Sequence, residues 1–289
     1  MFTYQIKKEK FTTYVLQHAS QNSYIEIVPE RGAIISSYFH QNQQIFYMDQ
    51  ETLVDESTNI RGGNPILFPI SSYLENETYY YNDAPYQLKQ HGFVRQLIAK
   101  VTAIEANQHY AAITLDFTHT EATLERFPFQ FKLTMKYTLN ENGLSIQATV
   151  NNLDDKTMPF YLGYHPYFYV ADKQALELQV PSSHYNNMVS NSMVDGKFQL
   201  NQTESNAIFD QLENNQCHIL DHARDLKITL TSDDVFQYIV LWALQEKPFV
   251  CVEPWMAPVN GMNVNKGVQY LEAGRQHTST IHIAATTID

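Results

Sequence analysis

A chain of 289 residues with 44% hydrophobic and 17% charged residues has the balance of a folded protein with a sizeable core. Its formal charge of −12, from 31 acidic and 19 basic residues with no basic run, argues against nucleic acid as a partner. No apolar stretch approaches the ~20 residues of a membrane span, and the N-terminus lacks a signal-peptide core, so a cytoplasmic protein without a membrane partner is expected.

In chain order, alternating apolar and polar residues predict strands over Phe11 to Gln17, Tyr24 to Val28, Ile34 to Phe39 and Ile45 to Met48. Just before them, Lys7-Lys8-Glu9-Lys10 is too short and mixed for a membrane anchor and is expected as a solvated edge. Alternation stops between Gln50 and Ser72, a connection long enough to carry function. Tyr79-Tyr80-Tyr81 and Tyr86-Gln87-Leu88 flank a turn, and strands are expected over Ala99 to Ile104 and Ala111 to Phe117. The strongest local pattern runs from Phe129 through Leu139, turns at Asn140-Glu141-Asn142-Gly143 and returns through Leu144, Ile146, Ala148 and Val150. That spacing predicts a long antiparallel hairpin.

Further strands are expected at Leu176 to Val180, Leu226 to Leu230, Phe249 to Val252 and Thr280 to Ala284. Val235 to Leu244 is almost continuously apolar, the pattern of a strand buried on both faces. Helical signals are confined to Glu121 to Arg126 and Thr203 to Leu212. No internal repeat or linker divides the chain, so residues 1–289 are expected to form one all-β domain that stacks sheet on sheet.

Three stretches set a polar or titratable side chain against proline: Arg61-Gly62-Gly63-Asn64-Pro65, Gly163-Tyr164-His165-Pro166-Tyr167 and Cys251-Val252-Glu253-Pro254-Trp255. Proline stiffens the residue before it, as a site needs when an acid and a base must be held at fixed separation. His165 has two readings, a core histidine bonded to a tyrosine hydroxyl or a proton carrier. His91, beside Gly92, is a turn residue or a second imidazole in the site. Glu253 ends a buried strand, where a carboxylate finds partners or has its pKa raised. Cys251 shares its strand face and is expected as a small buried hydrophobe rather than a nucleophile. Arg61 is a surface cation or a fork of donors gripping hydroxyls. The absence of HxH, HExxH, CxxC, GxSxG and glycine-rich nucleotide loops leads to the expectation of no metal, no cofactor and no disulfide.

Taken in order, Arg61-Gly62-Gly63-Asn64-Pro65-Ile66-Leu67-Phe68-Pro69, His91-Gly92-Phe93-Val94-Arg95, Gly163-Tyr164-His165-Pro166-Tyr167-Phe168 and Glu253-Pro254-Trp255 resemble the aldose 1-epimerase (galactose mutarotase) family, nearest its LacX-like branch. The resemblance implies a large antiparallel β-sandwich, the galactose mutarotase-like supersandwich, with a sugar cleft and no cofactor. It implies Glu253 as base at the anomeric hydroxyl, His165 as acid at the ring oxygen with His91 assisting, and Arg61 holding hydroxyls. Related enzymes carry a sugar-binding aspartate whose nearest counterpart here is Asn206, in Ser205-Asn206-Ala207-Ile208-Phe209. Arg95 joins Arg61 as a cation for substrate binding. The implied substrate is a small free hexose, handled by a monomer or homodimer. A hexose 6-phosphate substrate and a non-catalytic carbohydrate-binding protein are the alternatives.

Overall fold

The computed structural model describes residues 1–200 and 203–288. Strands dominate it, and every pairing between named strands is antiparallel. Phe2–Lys8, Thr12–His18, Ser23–Val28, Ile34–His40 and Gln43–Gln44 form a five-stranded meander. An eight-stranded sheet is centred on the hairpin Phe131–Asn140 and Gly143–Asn152, with Asn140 opposite Gly143 as the spacing requires. Tyr110–Thr118 and Lys100–Ala106 extend it on one side; Gln276–Thr286, Leu226–Ser232, Gln216–Asp221 and Leu176–Gln179 extend it on the other.

The third large sheet runs through Ser192–Asp195, His184–Asn187, Glu204–Phe209, Tyr238–Leu244, Phe249–Trp255, Gly163–Tyr164 and Ile66–Leu67, with Tyr167–Tyr169 also on Phe249–Trp255. One face joins the main core: Ala207, Phe209, Ile239, Leu241, Ala243, Val250 and Val252 pack in the same apolar cluster as Leu133, Met135 and Tyr137 of the central hairpin and Ile25 and Ile35 of the meander. The alternate residues, pointing the other way as the pleat dictates, line the functional face.

Several expectations need correction. Thr203 to Leu212 is no helix: Glu204–Phe209 is a strand paired along its length with Tyr238–Leu244. Burial of Ser205, Ala207 and Phe209 on one face, with that ladder, overrides a weak local preference. Ile45 to Met48 is not a ladder strand; Phe46 and Met48 make single bridges to Phe168 and Gly62. The connection from Gln50 to Ser72 contains the short helix Gln50–Val54, capped by Asp49 Oδ1 accepting from Thr52 N at 3.3 Å, and the strand Ile66–Leu67. Phe2–Lys8 and Gln216–Asp221 are strands that the periodicity left unassigned; Lys7 and Lys8 sit exposed on the outer strand of the meander.

Candidate functional site

Cross-strand partners in a sheet point to the same side, so pairing register alone assembles the site in rungs. Asn206 pairs with Trp242, Trp242 with Cys251, and Cys251 with Tyr167. The next rung pairs Ile208 with Val240 and Val240 with Glu253; a third pairs Tyr238 with Trp255 and Trp255 with Gly163. Two loops close over these rungs. His165 arrives on the link between Gly163–Tyr164 and Tyr167–Tyr169, its backbone N–H donating to Pro65 O at 3.1 Å. Arg61 arrives where the Gly62-Gly63 backbone passes the meander, Gly63 N–H donating to Tyr47 O at 2.7 Å.

His91 comes from a turn in the left-handed region, at φ 66°. Gly92 beside it is also left-handed, and a Cβ there would lie 2.2 Å from Phe68 O. His91 is therefore a turn residue and a cavity residue at once. Its Nδ1 lies 2.8 Å from Ser71 O, and because a carbonyl only accepts, Nδ1 carries the proton and leaves Nε2 as an acceptor.

Together these elements enclose a cavity of about 260 Å³ lined by Arg61, His91, Arg95, His165, Asn206 and Glu253, all six expected site residues. The volume falls just under the ~300 Å³ at which pockets for larger ligands begin, a scale suited to one sugar ring. Glu253, 1% exposed, and His165 lie at its floor, with Oε1 and Nε2 3.3 Å apart. Burial drives the Glu253 carboxyl well above its ordinary range. Burial above all, with the neighbouring His91 ring and the Arg95 charge acting in the same direction, holds the His165 imidazole well below its ordinary value. Burial and the neighbouring Arg95 drive His91 down to about 3.

Glu253 Oε2, His165 Nδ1, Trp255 Nε1, Asn206 Oδ1 and Arg95 Nε are buried polar atoms without a hydrogen-bond partner among the described residues. Orphaned groups converging on one cavity mark a surface built to meet a polar ligand. The His165 ring stacks on Tyr167 at 4.7 Å and meets His91 and Trp242 edge-on at 5.7 and 5.9 Å, which fixes its orientation.

Tyr167, Trp242, Val240, Met188 and Glu204 also line the cavity, and none of them stands out in the sequence as a site residue. Alternation on Glu204–Phe209 would have put Glu204 beside Asn206 had that strand been recognised. Asn64, by contrast, is buried against Ile35 and does not line the cavity. Cys251 is fully buried and its thiol is pushed well upward by burial. Its sulfur lies with donor atoms of His165 and Glu253 in a group whose members are all within 4.8 Å, the residues that could hold a metal ion. A larger cavity of about 640 Å³ lies elsewhere, but its charged side chains Asp210, Glu213, Asp234 and Lys266 are exposed or half-buried.

A sequence model described as Aldose 1-epimerase matches residues 13–284. The chain belongs to the aldose 1-epimerase family. Among curated relatives it is similar to the chromosomal protein LacX of Lactococcus lactis subsp. lactis, 28% identical over 224 residues that span 67% of this chain and 73% of that one. Among solved structures it resembles the Slr1438 protein of Synechocystis sp. PCC 6803, at TM-score 0.94 and 32% identity with both chains covered completely (100%). A galactose mutarotase-like protein from Clostridium acetobutylicum shares the fold at TM-score 0.83 and 16% identity, over 99% of each chain. The expected galactose mutarotase-like β-sandwich and the LacX likeness are thus both met in this aldose 1-epimerase family member. Among the described residues, no helix is long and apolar enough to cross a membrane.

Proposed function

We propose that this family member is an aldose 1-epimerase that interconverts the α and β anomers of a free hexose by acid/base opening and closure of the ring. The observation that carries the reading is the contact of Glu253 Oε1 with His165 Nε2 at 3.3 Å on the cavity floor, a base and an acid close enough to serve the two oxygens of one hemiacetal carbon. In the cyclic sugar Glu253 takes the proton of the C1 hydroxyl, the C1–O5 bond breaks as the C1 carbonyl forms, and His165 gives its proton to O5. Rotation about C1–C2 and the reverse transfers close the ring on the other face. One proton is shared by the pair throughout: it leaves His165 as another reaches Glu253.

The open-chain stage, with Glu253 protonated and His165 neutral, matches the protonation that burial favours for each group. Burial therefore lowers the cost of the intermediate rather than of the cyclic sugar. His91, with Nε2 as an acceptor, assists at the ring-oxygen end by receiving a hydroxyl hydrogen. Arg61, Arg95 and Asn206 hold the remaining hydroxyls. The reading needs no cofactor, and the continuity of the apolar core supports taking residues 1–289 as one domain.

Polarimetry of freshly dissolved α-D-glucose and α-D-galactose tests it, with wild type beside Glu253→Gln. Acceleration by wild type alone is the expected result; equal acceleration by Glu253→Gln removes Glu253 as the base. If the three donors of His165, Cys251 and Glu253 hold no functional metal, protein dialysed against a chelator keeps its full rate.

A further inference from the structure

Glu204 and Asn206 are alternate residues of Glu204–Phe209, and both reach the same cavity face. Asn206 lies opposite Trp242, whose indole Nε1 donates to Glu204 Oε1 at 2.8 Å. The face of the same indole carries the Arg61 guanidinium, 5.3 Å from the ring. Two opposite charges so near one another would ordinarily pair. Here Trp242 holds the anion at its edge and the cation over its face, and among the described residues Glu204 has no salt-bridge partner. One oxygen of Glu204 is thus oriented by a neutral donor, which leaves its other oxygen for a ligand.

We infer that Glu204 is a hydroxyl-binding carboxylate at the mouth of the cavity, which selects uncharged sugars over sugar phosphates. Resting on the proposed epimerase reading, this gives that site a substrate class. A polyol offers O–H donors, and a carboxylate accepts from hydroxyls with charge-assisted strength. Arg61, kept free of Glu204, meets hydroxyl oxygens as a donor. A phosphate at neutral pH is mostly the dianion, which has no proton to offer Glu204 and brings like charge to it, so the attraction of Arg61 and Arg95 for a phosphate is opposed.

The test measures hexose and hexose 6-phosphate with wild type, Glu204→Gln and Trp242→Phe, both by turnover and by direct calorimetric binding. Glu204→Gln is expected to weaken free-hexose binding about tenfold, the loss falling on KM, and to raise kcat/KM for the 6-phosphate severalfold. Trp242→Phe keeps a ring but loses the anchoring N–H, and is expected to shift both quantities in the same direction by less. A merely structural role would lower thermal stability without changing the preference between the two sugars. Wild-type hexose affinity and wild-type discrimination in Glu204→Gln overturn the inference, whatever the turnover. If wild type binds hexose, turns over neither sugar and loses affinity with Glu204→Gln, the epimerase reading fails and the role of Glu204 stands.

Discussion

The two floor residues depart from their ordinary acidities in opposite directions, which has kinetic consequences. Glu253→Gln keeps shape but cannot take a proton, and is expected to lower kcat about a hundred- to ten-thousand-fold while sugar affinity stays near wild type. His165→Asn should act on kcat in the same way. The working pair holds one proton. A second proton, arriving on His165, stops the base; loss of the first stops the acid. With His165 lowered and Glu253 raised, the acid limb of the kcat/KM profile is expected below 6.5, the ordinary imidazole value, and the alkaline limb above 4.5, the ordinary carboxyl value. An inflection at 6.5 that disappears in His165→Asn would show instead an ordinary solvated imidazole.

At the scale of elements, the turn that delivers His91 is the most constrained part of the site. Gly92 has φ 67°, and a methyl group there would meet Phe68 O at 2.2 Å. His91 N–H also donates to Ser72 O at 2.8 Å, so the turn cannot rotate away without losing that bond as well as the one from the ring. Gly92→Ala is expected to cost at least about 2 kcal/mol in chemical denaturation and to displace His91 from the cavity. The rungs across Glu204–Phe209, Tyr238–Leu244 and Phe249–Trp255 work differently. Their registers are fixed by the core-facing residues Ala207, Leu241 and Val252, and a slip of one residue would turn Asn206 and Glu253 into the core.

Across the whole molecule, Arg224 ties the three large sheets together. Its Nε donates to the fully buried Asp221 at 2.6 Å, and its two terminal nitrogens donate to Gln44 O of the meander and Tyr169 O of the site sheet at 2.6 and 2.7 Å. Arg224→Met leaves Asp221 as an unpaired buried charge and is expected to cost about 3–5 kcal/mol, much of it recovered by adding Asp221→Leu. Stability should also depend on pH through the buried titratable groups. His91 has a folded pKa of about 3, against 6.5 when unfolded. Below 6.5 the unfolded chain binds a proton that the folded one refuses, so this stabilisation is present above 6.5 and is lost as pH falls toward 3. Glu253 acts with the opposite sign, because its raised pKa costs stability as pH rises past 4.5. Denaturant titrations at pH 6.5 and 5 should therefore show a smaller acid loss in His91→Asn than in wild type, by up to about 1.4 kcal/mol per pH unit.

Legible in the order of residues alone are the all-β class, the central hairpin and its turn, and, through the family resemblance, six of the residues that line the cavity. Period-two alternation records which face of a strand is buried, and proline and glycine record where the backbone is stiff or left-handed. Both are local properties, legible at Leu133, Met135 and Tyr137, and again at Gly92 and Pro254. Long-range pairing, by contrast, makes Glu204–Phe209 a strand, leaves Ile45 to Met48 off the ladder, and brings Trp242 and Glu204 to the cavity. Each depends on a partner distant in the chain: Trp242 for Asn206, Phe168 for Phe46, and the shared indole for Glu204 and Arg61. Pairing of this kind carries no period in the sequence. It follows from the common burial of residues that meet only when the sheets close, and the opposed acidities of Glu253 and His165 arise from that same burial.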